Sequence, residues 1–251
     1  MTLETFFREV PRAAVAFSGG TDSAFLLWAA KKYGCQIQAY YIHTAFQPEF
    51  ELEDARRLAG ELDIPMLVID MDILGVRQAA ENGPRRCYYC KRALFTRLKE
   101  QAAEDGYTVL LDGTNASDNA GDRPGMRALR ELQVRSPLRE CGITKDRVRS
   151  LSREAGLFTW EKPAYACLAT RIPTGTKITR GDLQRAEQAE MALMALGFQD
   201  FRVRLSREGA RLQMTGDQMS LAVERRNDIM QVLKPLFPGV FLDLEERSPS
   251  V

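Results

Sequence analysis

The stretch that most constrains this chain is Ala14-Val15-Ala16-Phe17-Ser18-Gly19-Gly20-Thr21-Asp22-Ser23. A short apolar run ends in two glycines, small hydroxyl and acidic residues follow, and residues 24–30 form a second apolar run of helical density. This order predicts a buried parallel strand, a turn and a helix N-terminus. A helix N-terminus carries free N–H groups and a partial positive charge, so it favours a phosphate. Glycine removes the Cβ that would hold an anion away, and Ser18, Thr21 and Ser23 add hydroxyl donors. Gly-Gly alone would fit an ordinary βα turn; the full string with Asp22 and Ser23 points to phosphate.

Composition narrows the setting. A chain of 251 residues, 45% hydrophobic, can bury a full α/β core and still hold a second small domain. Lys+Arg 35 against Asp+Glu 34 leaves a net charge of +1, which argues against a dedicated nucleic-acid binder. The opening Met1-Thr2-Leu3-Glu4-Thr5 lacks the basic-then-apolar order of a signal peptide. No apolar run approaches the ~20 residues of a membrane span, so a cytoplasmic protein with no membrane partner is expected.

Residues 13–17, 36–42, 66–71, 108–112 and 133–134 read as strands, and residues 22–33, 51–62, 91–104 and 144–155 as helices. Strands alternating with helices predict a doubly wound parallel sheet, with ligands past the C-terminal strand ends. From about Trp160 a proline-bracketed loop begins. Beyond it a helix through Leu183, Ala186, Ala189, Leu193 and Leu196, a strand pair at 201–205 and 211–214, a helix around 219–233 and a strand at 240–244 are expected. The domains are therefore expected at 1–160 and 161–251, with residues 248–251 a frayed tail.

Four further groups bear chemistry. Asp112-Gly113-Thr114-Asn115-Ala116-Ser117-Asp118 follows an apolar strand; Gly113, Thr114, Asn115 and Asp118 can approach a nucleotide or its magnesium ion, where a plain capped loop is the alternative. Ile42 and His43, at the end of the second strand, fit an adenine edge or an ordinary strand end. His43 is the only histidine, so no multi-histidine metal site is available. Cys87 and Cys90, in Cys87-Tyr88-Tyr89-Cys90-Lys91, have the spacing for one metal or cluster, and Arg85, Arg86, Lys91 and Arg92 flank them. A redox pair would normally open a helix in a thioredoxin-like unit, and a structural zinc would need two further ligands. Cys167 lies between Pro163 and Pro173 beside Lys162 and Arg171, a setting for a thiolate nucleophile or ligand as well as for a buried small side chain. Arg202 and Arg204, alternating on a strand about 7 Å apart, fit either two anion clamps or a solvated face. Glu187 and Glu190 are their expected ion-pair partners.

The string Ser18-Gly19-Gly20-Thr21-Asp22-Ser23 resembles the PP-loop of ATP pyrophosphatases, of the adenine nucleotide alpha hydrolase-like fold. With Arg86-Cys87-Tyr88-Tyr89-Cys90-Lys91, Arg123-Pro124-Gly125, Ser136-Pro137-Leu138 and Trp160-Glu161-Lys162-Pro163-Ala164-Tyr165-Ala166-Cys167-Leu168-Ala169-Thr170-Arg171-Ile172-Pro173, the chain resembles the LarE-type ATP-dependent sulfur transferases of nickel-pincer nucleotide cofactor biosynthesis. That resemblance implies binding of ATP with magnesium at Ser18, Gly19, Gly20, Thr21, Asp22 and Ser23. It implies adenylation of the carboxylates of pyridinium-3,5-biscarboxylic acid mononucleotide, release of pyrophosphate, and displacement of AMP by sulfur. It further implies either a [4Fe–4S] cluster on Cys87, Cys90 and Cys167 or a sacrificial Cys167. Arg202 and Arg204 become phosphate or carboxylate clamps with Glu190 as companion, and the assembly a homo-oligomer. The family strand usually continues with a histidine, whereas Leu205-Ser206 follow here. A tRNA thiolase, another PP-loop adenylating synthetase and a non-enzymatic nucleotide sensor are the competing readings.

Overall fold

The computed structural model describes residues 1–118 and 124–248; Arg123 and residues 249–251 of the expected tail lie outside the described residues. Two compact units make up the chain, Met1–Val76 with Arg85–Lys162, and Arg77–Pro84 with Pro163–Val251.

In the first unit, helix α1 (Leu3–Glu9) is capped by Thr2, whose side chain accepts the Thr5 N–H. There follow β1 (Arg12–Ala16), α2 (Thr21–Lys32), β2 (Gln36–His43), α3 (Glu49–Glu61) and β3 (Met66–Asp70). Helix α4 (Arg77–Ala80) belongs to the second unit; α5 (Arg86–Glu104), β4 (Leu110–Leu111), α6 (Pro124–Glu131), α7 (Pro137–Glu140) and α8 (Lys145–Glu154) complete the first. All four strands run parallel in the order β3-β2-β1-β4. Strand β1 is interior, and its Ala13, Ala14 and Val15 are fully buried. Side chains alternate faces along a strand, so Ala13 and Val15 join Phe25, Leu26 and Val148 in one core. Ala14 meets Tyr40, Ile69 and Leu98 in the other. Two apolar faces are what a helix-covered parallel sheet requires. Chain order reverses beside β1, with β2 on one side and β4 on the other, which opens a ligand crevice past their C-terminal ends.

Helix α8 starts as its Thr144 cap predicts, with the side chain accepting the Arg147 N–H. Other boundaries move. The strand expected at 133–134 reduces to a single bridge between Leu111 and Arg135, because Gln133 sits in the left-handed region (φ 58°) and cannot continue an extended run. The strand expected at 108–112 shortens to Leu110–Leu111. Helix α5 begins at Arg86 rather than at residue 91, so Cys87 and Cys90 occupy its opening turns.

In the second unit, α9 (Arg180–Ala195) leads to β5 (Arg202–Leu205), β6 (Ala210–Gln213), α10 (Gly216–Glu224), α11 (Arg226–Leu233) and β7 (Val240–Leu242). The helix expected around 219–233 is broken at Arg225, whose ψ of 20° ends α10. Strands β5 and β6 pair antiparallel, β6 and β7 parallel. Residues 77–84 join this unit through Asn82, which is fully buried with φ 55°. Its side-chain amide donates to the carbonyls of Ile172 (3.3 Å), Pro173 (2.9 Å) and Thr176 (3.1 Å). Its own carbonyl accepts the Gly175 N–H at 2.9 Å. Among the described residues no helix is long and apolar enough to cross a membrane.

The loop after β4 lies against the first turn of α2: a Cβ on Gly113 would stand 2.8 Å from the Ser23 backbone nitrogen. Gly113→Ala is expected to cost about 1–3 kcal/mol in urea unfolding through overpacking. At Gly60, within α3, a Cβ meets nothing within 4 Å. Gly60→Ala is expected to add about 0.5–1 kcal/mol in the same measurement.

Candidate active site

Gly20 caps α2 in extended conformation with no side-chain cap, which leaves the first-turn N–H groups of a 12-residue helix for an anion. Gly19 has φ 73°, and a Cβ there would lie 2.9 Å from the Glu51 carbonyl oxygen, so only glycine fits. The Ser18 and Ser23 hydroxyls are 3.1 Å apart, and Ser23 Oγ donates to the Gly20 carbonyl at 3.1 Å. Thr21 is another of the expected phosphate donors. It is buried, and its hydroxyl donates to the Thr159 carbonyl at 2.8 Å.

Asp22 Oδ2 takes Lys145 Nζ at 2.7 Å, while Oδ1 is buried with no hydrogen-bond partner. Burial lifts the Asp22 pKa above the ordinary carboxylate range; Lys145 opposes that rise, and the charge of Asp118 adds to it. On the β4 side, Asp112 accepts from Thr114 Oγ1 at 2.5 Å and from Ser136 Oγ at 2.6 Å. Asn115 N–H donates to Asp118 Oδ2 at 2.9 Å, and Asn115 Oδ1 accepts the Ser117 N–H at 2.8 Å. These bonds shape the second loop.

The two loops share one cavity of about 560 Å³. Ser18, Gly20, Asp22 and Ser23 line it from one side, Gly113, Thr114 and Asp118 from the other, and Cys87 and Lys91 from α5. Gly125 leaves room for the Lys91 stem, since a Cβ there would meet Lys91 Cδ at 3.0 Å. Ile42 and His43, the expected adenine edge, lie elsewhere: Ile42 is in the core, and His43 bridges Asp70 (3.0 Å) and Glu49 (3.1 Å).

Within the second unit, Cys167 is half-buried and precedes a 3-10 turn, Leu168–Arg171. Arg171 is fully buried and grips Glu190 with two bonds of 2.9 and 2.8 Å. Another Arg171 N–H donates to the Ala166 carbonyl at 2.7 Å, one residue before Cys167. Glu190 also accepts from the Tyr165 hydroxyl and from the Val203 N–H. Burial pulls the Arg171 pKa down, but the hydrogen bond and charge of Glu190 outweigh it and the net shift is upward. Glu190 thus serves Arg171 and the backbone of β5, where pairing with Arg202 and Arg204 was expected. Sequence reading noted Arg171 only as a cationic neighbour of Cys167; its place in Leu168-Ala169-Thr170-Arg171-Ile172-Pro173 was the available signal.

Arg202 donates to the carbonyls of Phe201 and Ala164, both at 2.7 Å, and burial with help from Arg171 and Arg247 pulls its pKa down to about 10. Arg204 donates to Gln213 Oε1 at 2.8 Å and to the Thr170 carbonyl. It also lines a cavity of about 400 Å³ with Ser206 and Arg211. Both guanidinium groups are held by protein carbonyls, an arrangement the alternation of the strand did not reveal.

All five cysteines are thiols, not disulfides. Cys87 is exposed, and an Arg86 N–H lies 3.9 Å from its Sγ. Among the described residues no group of three or more His, Cys, Asp or Glu side chains is placed to hold a metal ion.

Comparison with known proteins follows the same lines. A family model described as queuosine biosynthesis protein QueC matches residues 12–81. An uncharacterised protein of Synechocystis sp. is 36% identical over 97% of this chain and 92% of its own length. A pyridinium-3,5-bisthiocarboxylic acid mononucleotide synthase of Lactiplantibacillus plantarum, a LarE protein, is 33% identical over 85% of this chain and 78% of its own. The chain belongs to the LarE family. More distant is a tRNA-specific 2-thiouridylase MnmA of Clostridium botulinum, 26% identical over 59% of this chain and 51% of its own. As a LarE-family member the chain is an ATP-using enzyme with the PP-loop α/β fold.

A Cβ at Gly20 would meet only Ser18 Oγ, at 3.5 Å. Gly20→Ala is therefore expected to keep the thermal midpoint and to weaken ATP binding about tenfold by calorimetry, through crowding of the phosphate. Glu190→Gln strips the buried Arg171 of its counter-charge. A loss of about 3–5 kcal/mol in denaturant unfolding is expected.

Proposed function

We propose that this LarE-family enzyme adenylates the carboxylates of pyridinium-3,5-biscarboxylic acid mononucleotide with ATP and converts them to thiocarboxylates. The observation that carries this reading is a thiol, Cys87, in the same cavity as the phosphate loop, in a chain 33% identical to a protein named for the bisthiocarboxylic product. A substrate carboxylate oxygen attacks the α-phosphorus and pyrophosphate leaves. Sulfur then attacks the acyl carbon; the C–S bond forms, the C–O bond to AMP breaks, and AMP leaves with the electron pair.

The N–H groups of α2 and the Lys91 ammonium stabilise phosphate charge as it develops. Asp22 Oδ1, buried without a hydrogen-bond partner, fits a magnesium ligand; magnesium would neutralise charge on the phosphates. Residues 1–160 carry adenylation. Residues 161–251 serve substrate binding, sulfur transfer and the contacts of a homo-oligomer, with Arg202 and Arg204 clamping phosphate or carboxylate and Glu190 behind them. The cytoplasm is the proposed setting, where thiols stay reduced.

Cys87 and Cys90, one helical turn apart on α5, and Cys167 are the thiols that would hold a [4Fe–4S] cluster, which would supply sulfide. The other route takes the sulfur of Cys167 itself and leaves dehydroalanine. A tRNA thiolase is the second reading, favoured by the MnmA similarity and disfavoured by a net charge of +1.

Wild type is expected to release pyrophosphate only when the pyridinium biscarboxylate is added, and to form a thiocarboxylate seen by mass spectrometry. Pyrophosphate release driven by tRNA instead would overturn the assignment. Cys167→Ala is expected to abolish thiocarboxylate while pyrophosphate release continues. Iron and sulfide in anaerobically reconstituted protein support the cluster route; loss of the elements of hydrogen sulfide from Cys167 after turnover supports the sacrificial one.

A further inference from the structure

Thr21 belongs to the phosphate loop, yet its hydroxyl is engaged by Thr159, 138 residues away in sequence. Thr159 lies in a 3-10 turn, Phe158–Glu161, that is anchored from other directions as well. Arg149 donates to the carbonyls of Trp160 at 2.6 Å and Lys162 at 3.2 Å. Lys162, the next residue after the turn, places Nζ 2.7 Å from Asp54 Oδ2 and 3.5 Å from the Gly19 carbonyl oxygen. One short segment therefore holds both ends of Gly19-Gly20-Thr21.

The geometry of the peptide unit gives that hold a chemical effect. In a trans peptide the carbonyl of Gly19 and the N–H of Gly20 point in opposite directions. Attraction of the Gly19 carbonyl toward Lys162 aims the Gly20 N–H the other way, toward Ser18 Oγ at 3.5 Å, and Ser18 and Gly20 both line the cavity. The same segment leads toward sulfur: Cys167 follows Lys162 by five positions (167 minus 162), through Pro163. Lys162 has φ −56° and ψ 123°, the extended conformation that a following proline imposes.

We propose that Thr21 is a positioning residue that, with Lys162, ties the phosphate loop to the segment entering the Cys167 loop, so that adenylation and sulfur transfer stay in step. This inference rests on the sulfur-transfer reading above. A loop released from Thr159 still makes the adenylate, but the sulfur-bearing loop is less often in place, and water takes the adenylate instead. Pyrophosphate is then released without thiocarboxylate.

The test counts pyrophosphate and thiocarboxylate in the same reaction for wild type, Thr21→Val, Thr21→Ser and Lys162→Met. Thr21→Val is expected to raise pyrophosphate per thiocarboxylate about tenfold, the equivalent of one lost hydrogen bond. Thr21→Ser, which keeps the hydroxyl, restores the wild-type ratio, and Lys162→Met shifts it in the same direction as Thr21→Val. A folding defect alone lowers both products together, and an unchanged ratio in both Thr21→Val and Lys162→Met overturns the proposal. A wild type that forms no thiocarboxylate overturns the sulfur-transfer reading instead, so the two failures are distinct.

Discussion

The approach of Gly113 to the first turn of α2 is the constraint on which the site depends. With a would-be Cβ only 2.8 Å from Ser23 N, the loop after β4 lies as close to the loop after β1 as backbones allow. That contact follows from strand order, because β1 and β4 are neighbours and their C-terminal ends open on the same edge. It brings Asp22 and Asp118 near enough to raise the cost of charging Asp22, which Lys145 partly offsets. A magnesium ion bound there would reverse the sign of that local field. The carboxylate repulsion is therefore a feature that favours a charged guest.

The second unit is arranged around a different kind of bond. Arg171 and Glu190 form a bidentate pair with no exposure on the arginine, and they satisfy Tyr165, the Ala166 carbonyl and the Val203 amide at the same time. A buried pair of this kind gains little net energy over apolar packing, but breaking it is costly. Its effect is geometric: it fixes the backbone on both sides of Cys167 to α9 and β5. Arg202 and Arg204 are fixed in turn by carbonyls, which presets their orientation at the cost of donors that a ligand would otherwise take.

Much of the first unit was legible because it is written in local pattern. The small apolar residues of β1, the cap at Thr144 and the glycine pair at Gly19-Gly20 each have a meaning that needs only near neighbours. The false strand at 133–134 shows the limit, since Val134 and its neighbours have strand-like chemistry but Gln133 turns the chain. Helix α5 starts before its periodic apolar pattern does, because Cys87-Tyr88-Tyr89-Cys90 forms its opening turn without a side-chain cap to mark the start. Functional partners were hidden for a further reason. Asp22 finds Lys145 across 123 residues and Thr21 finds Thr159 across 138, and no local rule selects such pairs. The Thr21 hydroxyl shows this: its acceptor within the chain is the Thr159 carbonyl, which no near neighbour in sequence announces.

Asn82 has a consequence for how the protein is made. Its amide reaches three carbonyls between 90 and 94 residues further along, so residues 77–84 are synthesised long before the partners that bury them. During translation that segment must wait, with its amide in water, while residues 85–162 of the first unit are still being made. The loop-closure entropy grows only slowly with length, so the delay is kinetic more than energetic. A gene cut at residue 163 would discard the stitch, and the C-terminal unit would not be exchangeable between proteins as a simple tail. The two units are interleaved along the chain, so neither is encoded by one uninterrupted segment.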